Sequence, residues 1–395
     1  MKLAHWATGI LVIVGTAGAA MAQTPLVCPA PRPEGNVKFA AGNASSLDPA
    51  MNALTDVPPG SPLAGLPDPY RTQFDWAKMP AGRVWADDRA IAIDKDGKSV
   101  WIADRCALAQ GACSKPENRT NNMIMKFDSN GNIVKSFGAG MLADPHGITV
   151  DKDGNVWTAD GGPPDGCELP GAPAGNKLRK WSPDGKLLMT ISGPVNGKPF
   201  TGLNDVVISP VTGDIFVADG HGGGGRPGAS GAPAVRRPSN NRIIRFDKTG
   251  KFILEWGKPG KGDDEIGIPH GLAMDHEGRI YVADRSDVAV KVYDQDGKQL
   301  HTWHQFGEPS GVYVDKNDLL YVADETATIP VRNPNLSPGV RVATLDGKII
   351  ANAPYRQGNA LEGVAVDDAG NIYGGNTNHP VSVRFMRTGP LPATN

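Results

Sequence analysis

The sequence predicts an all-β chain folded as a six-bladed β-propeller, each blade a four-stranded antiparallel sheet. Three observations carry this expectation. A two-strand unit, Asp144-Pro-His-Gly-Ile-Thr-Val-Asp-Lys-Asp-Gly-Asn-Val-Trp-Thr-Ala-Asp160, returns nearly letter for letter as Ile268-Pro-His-Gly-Leu-Ala-Met-Asp-His-Glu-Gly-Arg-Ile-Tyr-Val-Ala-Asp284. Looser versions bring the copies to six, starting at Arg89, His146, Asn204, His270, Ser310 and Glu362. The chain also carries 50 glycines and 34 prolines without a collagen-like period, which suits many turns and long loops.

Taken in order, the chain opens on a targeting segment. Lys2 supplies positive charge, Gly9 to Ala20 is apolar, and Ala20-Met-Ala22 is an A-x-A cleavage signal. Residues 1–22 therefore read as a signal peptide cut after Ala22, which predicts a periplasmic or secreted protein with no membrane helix after processing. Residues 23–71 read as an extended arm and 387–395 as a tail, with the propeller over 72–386.

The first strands run from Ala90-Ile-Ala-Ile-Asp in copy one to Gly363-Val-Ala-Val-Asp in copy six. The second strands run from Val100-Trp-Ile-Ala-Asp to Ile372-Tyr-Gly-Gly-Asn, and Asp- and Gly-rich turns join each pair. Copies three and four add clear third and fourth strands, as in Arg242-Ile-Ile-Arg-Phe and Lys251-Phe-Ile-Leu-Glu-Trp. Copy six ends after Val381-Ser-Val-Arg-Phe-Met386, so its fourth strand is expected from residues 72–88. Such closure covers two sheet edges.

A net charge of −2 points away from nucleic acid and from a membrane surface. The expected partner is a small-molecule or peptide substrate. Four cysteines in an oxidising compartment suggest two disulfides. The short spacing of Cys106 and Cys113 favours that pair and leaves Cys28 with Cys167, the alternative being free or metal-bound thiols.

The repeat locates a site. A blade's first strand lies beside the central channel, so the six starting residues should ring one mouth. Long loops after the Ala-Asp units reach over the same mouth. His146, His270 and Glu362 fall on alternate blades and together suit Zn²⁺ or Fe²⁺ with a position open. Glu362 has two other readings, a general base or a partner for Arg89. Arg89, Arg105 and Arg285 are each either a clamp for a substrate carboxylate or carbonyl, or half of a structural ion pair. His221, which opens the glycine-rich loop Gly222–Gly225, is either a general acid or base or an exposed loop histidine. Asn204 and Ser310 complete the ring as pocket residues, and His379 is a reserve ligand.

Pro145-His-Gly-Ile-Thr-Val-Asp, Asn204-Asp-Val-Val-Ile-Ser through Val217-Ala-Asp-Gly-His221, Asn241-Arg-Ile-Ile-Arg-Phe and Ile268-Pro-His-Gly-Leu resemble the peptidyl-α-hydroxyglycine α-amidating lyases and their bacterial relatives with NHL repeats. The resemblance covers roughly residues 80–386. It implies a six-bladed propeller with a catalytic zinc on three histidines, two of them matching His146 and His270. Glu362 stands where the third would be, and His221 where the family has a catalytic tyrosine. Gly363 replaces the acidic residue expected after the third ligand, which counts against the family's structural Ca²⁺. The implied activity is a zinc lyase acting on a carbinolamide or related hydroxyalkyl compound. A metal-dependent hydrolase or hydratase on a lactone or ester, and a non-catalytic binding propeller, are the alternatives.

Overall fold

The computed structural model describes residues 61, 63–83, 85, 90–106, 113, 115–162, 171, 173, 175–221, 239–325, 336, 338–355, 361–376 and 382–393. They form 24 strands in six four-stranded antiparallel sheets, the predicted propeller. Five sheets follow chain order from the channel outwards. The sixth adds Tyr70–Phe74 outside Val383–Arg387, with Tyr70 opposite Arg387 and Phe74 opposite Val383. The closing strand thus begins at Tyr70, two residues inside the segment expected to be an extended arm.

Burial grades outwards along each blade. Second strands such as Ile280–Asp284 are buried throughout, being covered on both faces by neighbouring blades. Their sequences are accordingly continuous apolar runs ending in Ala-Asp. Outer strands such as Leu187–Ser192 are mostly exposed. The apolar layers lie between blades. Ala273, Tyr281 and Val292 of blade four, for example, pack with Val312, Leu320 and Ala343 of blade five.

Two polar devices repeat inside this apolar frame. In five of the six blades the Asp closing the first strand has one oxygen on turn N–H groups and the other on an aromatic donor of the second strand. Asp151 Oδ1 accepts from Asp153 and Asn155 N–H at 3.0 and 2.9 Å, and its Oδ2 accepts from Trp157 Nε1 at 3.1 Å. Asp94 accepts from Trp101 Nε1 at 2.7 Å. Asp275, Asp315 and Asp367 accept from the hydroxyls of Tyr281, Tyr321 and Tyr373 at 2.9, 3.2 and 3.0 Å. Blade three has Ser209 and Phe216 in these places, so acceptor and donor are lost together. A buried carboxylate facing a phenyl ring would be left short of a donor.

The Asp ending the second strand is buried against a cation. Asp160 pairs with Arg179 at 3.1 Å, Asp219 with Arg242 at 2.9 Å, Asp284 with Lys291 at 3.0 Å and Asp324 with Arg341 at 3.2 Å. In blade one the partner of Asp104 is Arg83, at 2.6 Å. Blade six carries Asn376 instead, which donates to the Tyr355 hydroxyl at 2.8 Å.

The expected Cys106–Cys113 disulfide is present, with a Cα–Cα distance of 5.2 Å. Cys28, Cys167, Arg89 and His379 lie outside the described residues. Among the described residues no helix is long and apolar enough to cross a membrane.

Candidate metal centre

Each ring residue from blade two to blade six sits at a register shift. Pro145 faces Asp160 and Gly147 faces Ala159, which leaves His146 as an extra residue. The same shift falls at His270, Ser310 and Glu362, and across Asn204 and Asp205. A β-bulge turns the extra residue out of the sheet's alternation, here towards the channel mouth. The glycine after each histidine serves the same end. A Cβ on Gly147 would lie 2.6 Å from the Asn204 carbonyl oxygen, and one on Gly271 would lie 2.7 Å from that of Ser310. Glycine therefore lets neighbouring inner strands approach closely enough for a cross-blade hydrogen bond.

Those bonds orient both imidazoles. His146 Nδ1 is 2.9 Å from the Asn204 carbonyl oxygen, and His270 Nδ1 is 2.9 Å from that of Ser310. A carbonyl only accepts, so each Nδ1 carries the hydrogen and each Nε2 carries the lone pair of the neutral ring. This is the orientation that metal-ligating histidines adopt. His146 and His270 are 5% and 3% exposed.

The third member of the cluster is His221. Its backbone N–H donates to the Gly202 carbonyl at 3.2 Å, and Gly220 N–H shares that acceptor at 3.0 Å. The ring centroids lie 4.7 Å (His146–His221), 4.8 Å (His146–His270) and 5.6 Å (His221–His270) apart. One nitrogen from each ring falls in a set whose members are all within 4.8 Å of one another, and this triad can hold a metal ion. Zn²⁺ and Fe²⁺ both accept such a donor set.

The ligand set expected from the sequence is His146 with His270 and Glu362; the atoms that the structure groups are those of His146, His221 and His270. Glu362 Oε2 is 3.7 Å from His270 Nε2, while Oε1 accepts from Arg285 Nη1 at 3.1 Å. The same Arg285 nitrogen reaches Glu325 Oε2 at 3.2 Å, and Ser310 Oγ donates to that oxygen at 3.3 Å. Of the two readings of Arg285, the ion pair is the one present. Arg105 likewise pairs with Asp144 at 2.9 Å and also donates to the Pro145 carbonyl at 2.9 Å. It braces the residue before His146. Ser310 braces His270 through its carbonyl and Glu325 through its hydroxyl.

Two participants went unnoticed in the sequence. Glu325 follows the Ala-Asp of blade five at the position Arg285 holds in blade four, so the repeat alignment already contained it. Asp205 follows Asn204 where blades two, four, five and six have glycine. Its Oδ2 accepts from Leu272 N–H of blade four at 2.9 Å, and its Oδ1 accepts from Val206 N–H at 2.9 Å. Burial pushes its carboxyl up to about 7, the two N–H groups opposing that rise. His146, Asn204, Asp205, His270 and Glu362 all line a channel cavity of about 550 Å³.

No protein-family model matches the chain. Among curated proteins it is 30% identical over 186 residues to the peptidyl-glycine alpha-amidating monooxygenase of Mus musculus, covering 45% of this chain and 16% of that protein. It is 26% identical over 267 residues to the peptidyl-alpha-hydroxyglycine alpha-amidating lyase 1 of Drosophila melanogaster, covering 61% and 43%. It is 29% identical over 251 residues to the NHL repeat-containing protein 3 of Homo sapiens, covering 60% of each. The chain thus spans less than two thirds of the length of these relatives. Among solved structures, a gluconolactonase of Xanthomonas campestris matches with a TM-score of 0.53 at 18% identity, covering 82% of this chain and 90% of that one. At that identity the likeness concerns the fold.

Proposed function

On the premise that this chain is a relative of the peptidyl-α-hydroxyglycine α-amidating lyases, we propose that it is a metal-dependent lyase acting on an N-acyl-α-hydroxyglycine or a similar carbinolamide. The observation that carries the reading is the triad of His146, His221 and His270, two of whose rings are oriented by main-chain carbonyls. Zn²⁺ is the metal proposed, with Fe²⁺ as the second choice. When bound, the metal supplies Lewis acidity to the substrate hydroxyl.

The reaction needs one proton moved from oxygen to nitrogen. As the hydroxyl O–H breaks, its electrons form the carbonyl and the C–N bond cleaves, releasing glyoxylate. The nitrogen regains a proton and leaves as the amide, and no water is consumed. Glu362 Oε2, 3.7 Å from His270 Nε2, is placed to take the hydroxyl proton and return it to the leaving nitrogen. Arg285 holds that carboxylate through Oε1, and Oε2 is the oxygen nearer His270. Ser310 and Glu325 hold Arg285 and His270 in turn. In this reading His221 is a ligand, in place of the general acid or base that is one of its two readings from the sequence.

The same Glu362 carboxylate favours one other reaction, removal of a proton from water during hydrolysis of a lactone or ester. The two readings differ in product. Purified protein should contain about one transition metal ion per chain and release glyoxylate from N-benzoyl-α-hydroxyglycine. Metal-loaded protein that releases none, yet opens a lactone, would replace the lyase by the hydrolase. Export through residues 1–22 and a small-molecule or peptide substrate belong to the same proposal.

A further inference from the structure

Blade three has no histidine at its ring position, yet it stands between the two blades that have one. Its bulge carries Asn204 and Asp205, since Leu203 faces Asp219 and Val206 faces Val217. Where blade three has Asp205, blades two, four, five and six have glycine. At such a glycine the next inner strand comes close: a Cβ on Gly311 would lie 2.5 Å from the Glu362 carbonyl oxygen. Between blades three and four, side chains make the connection instead. Asn204, fully buried, donates from Nδ2 to the Pro269 carbonyl at 2.6 Å, and Asp205 Oδ2 accepts from Leu272 N–H at 2.9 Å. Pro269 and Leu272 bracket His270 and Gly271, so the bulge that aims His270 is gripped on both sides. The same dipeptide also reaches blade two. The Asn204 carbonyl oxygen holds His146 Nδ1 at 2.9 Å, and Asp205 Oδ1 packs where a Cβ on Gly147 would lie 2.6 Å from it.

We propose that Asn204 and Asp205 are positioning residues, which fix the spacing of His146 and His270 and so set the geometry in which a metal is held. The inference rests on the metal-centre reading and adds to it two side chains that are not themselves ligands. A metal site tolerates ligand distances within about 0.2 Å. Apolar packing between blades is non-directional and leaves a ring's position open at that scale, whereas hydrogen bonds to the strand that carries the ring set it. The Pro269 oxygen can only accept, so the bond from Asn204 also fixes which way its amide faces. One dipeptide of blade three thereby ties together two ligands that belong to different blades.

Titration of the metal-free protein with Co²⁺ tests this, because the visible absorption of bound cobalt reports the number and arrangement of its ligands. Asp205→Gly installs the residue that blades two, four, five and six carry at this place. Asn204→Leu keeps the main-chain carbonyl on His146 and removes the amide that grips Pro269. Each should bind cobalt about 10–100-fold more weakly than wild type, with an altered spectrum. Asp205→Asn removes the charge but keeps an acceptor for Leu272 N–H, and should retain the affinity and spectrum of wild type. A purely structural role would lower the melting temperature of the metal-free protein and leave both cobalt readouts alone. Wild-type affinity and spectrum in folded Asp205→Gly or Asn204→Leu would overturn the inference. So would an Asp205→Asn variant impaired as much as Asp205→Gly. Should one of the first two variants not fold, the other decides. A wild type that binds no cobalt overturns the metal-centre reading itself, and the inference with it.

Discussion

Glu362 and Asp205 show how differently two carboxylates lining one channel can be used. Glu362 is held by a guanidinium and directed at the histidine cluster, so its loss should affect turnover. Glu362→Gln keeps the size and removes the base. Its kcat should fall about a hundredfold or more, with KM changed little and full metal content by elemental analysis. An unchanged kcat would remove Glu362 from the chemistry. Asp205 has its pKa raised by burial, so the folded state favours its protonated form. Below the unfolded carboxylate pKa this contribution to stability is fully present. It is lost as pH rises from about 4 towards about 7. Thermal melts of wild type between those limits should therefore decline more steeply than those of Asp205→Asn; parallel profiles would count against the shift. The sequence revealed His146 and His270 because they share a repeat position, and repetition is visible without coordinates. It did not reveal His221 as a ligand. That residue follows a second strand, and only folding brings the start of its loop over the two repeat-borne rings.

At the level of the strand, the Pro-His-Gly unit acts as a device rather than a string of turn residues. The bulge aims the histidine, and the glycine admits the neighbouring carbonyl that orients it. Gly271→Ala would set a Cβ 2.7 Å from the Ser310 oxygen and drive the two inner strands apart. Metal affinity should fall on the order of 10–100-fold, as when the outer partner of a metal ligand is lost. Competition with a chromogenic chelator measures this, and an unchanged affinity would deny the glycine its role. The Ala-Asp ends have a purely structural part. Asp324→Ala would leave Arg341, fully buried, without its 3.2 Å carboxylate. A loss of roughly 3–5 kcal/mol in chemical denaturation is expected. These aspartates recur in sequence as plainly as the histidines do. What separates the two kinds is the buried cation each aspartate meets, which comes from the third strand of the same blade in blades two to five and is Arg83 in blade one.

Over the whole molecule, the blade count followed from the copies, and the missing last strand required a closing strand from the other end of the chain. Its position came out slightly early because Tyr70 and Arg71 show no strand period of their own; the strand is set by its pairing with Val383–Arg387. A chain beginning at Trp76 would expose that edge, and it should melt at lower temperature and aggregate more readily. The ring also explains why the ligands can be so far apart in sequence, since blades two, three and four bring His146, His221 and His270 to one mouth. Metal stoichiometry of wild type, His221→Ala and Glu362→Ala, purified side by side and read by elemental analysis, tests this arrangement most directly. Wild type and Glu362→Ala should each hold one ion per chain, and His221→Ala should hold none. Metal retained by His221→Ala but lost from Glu362→Ala would contradict the account.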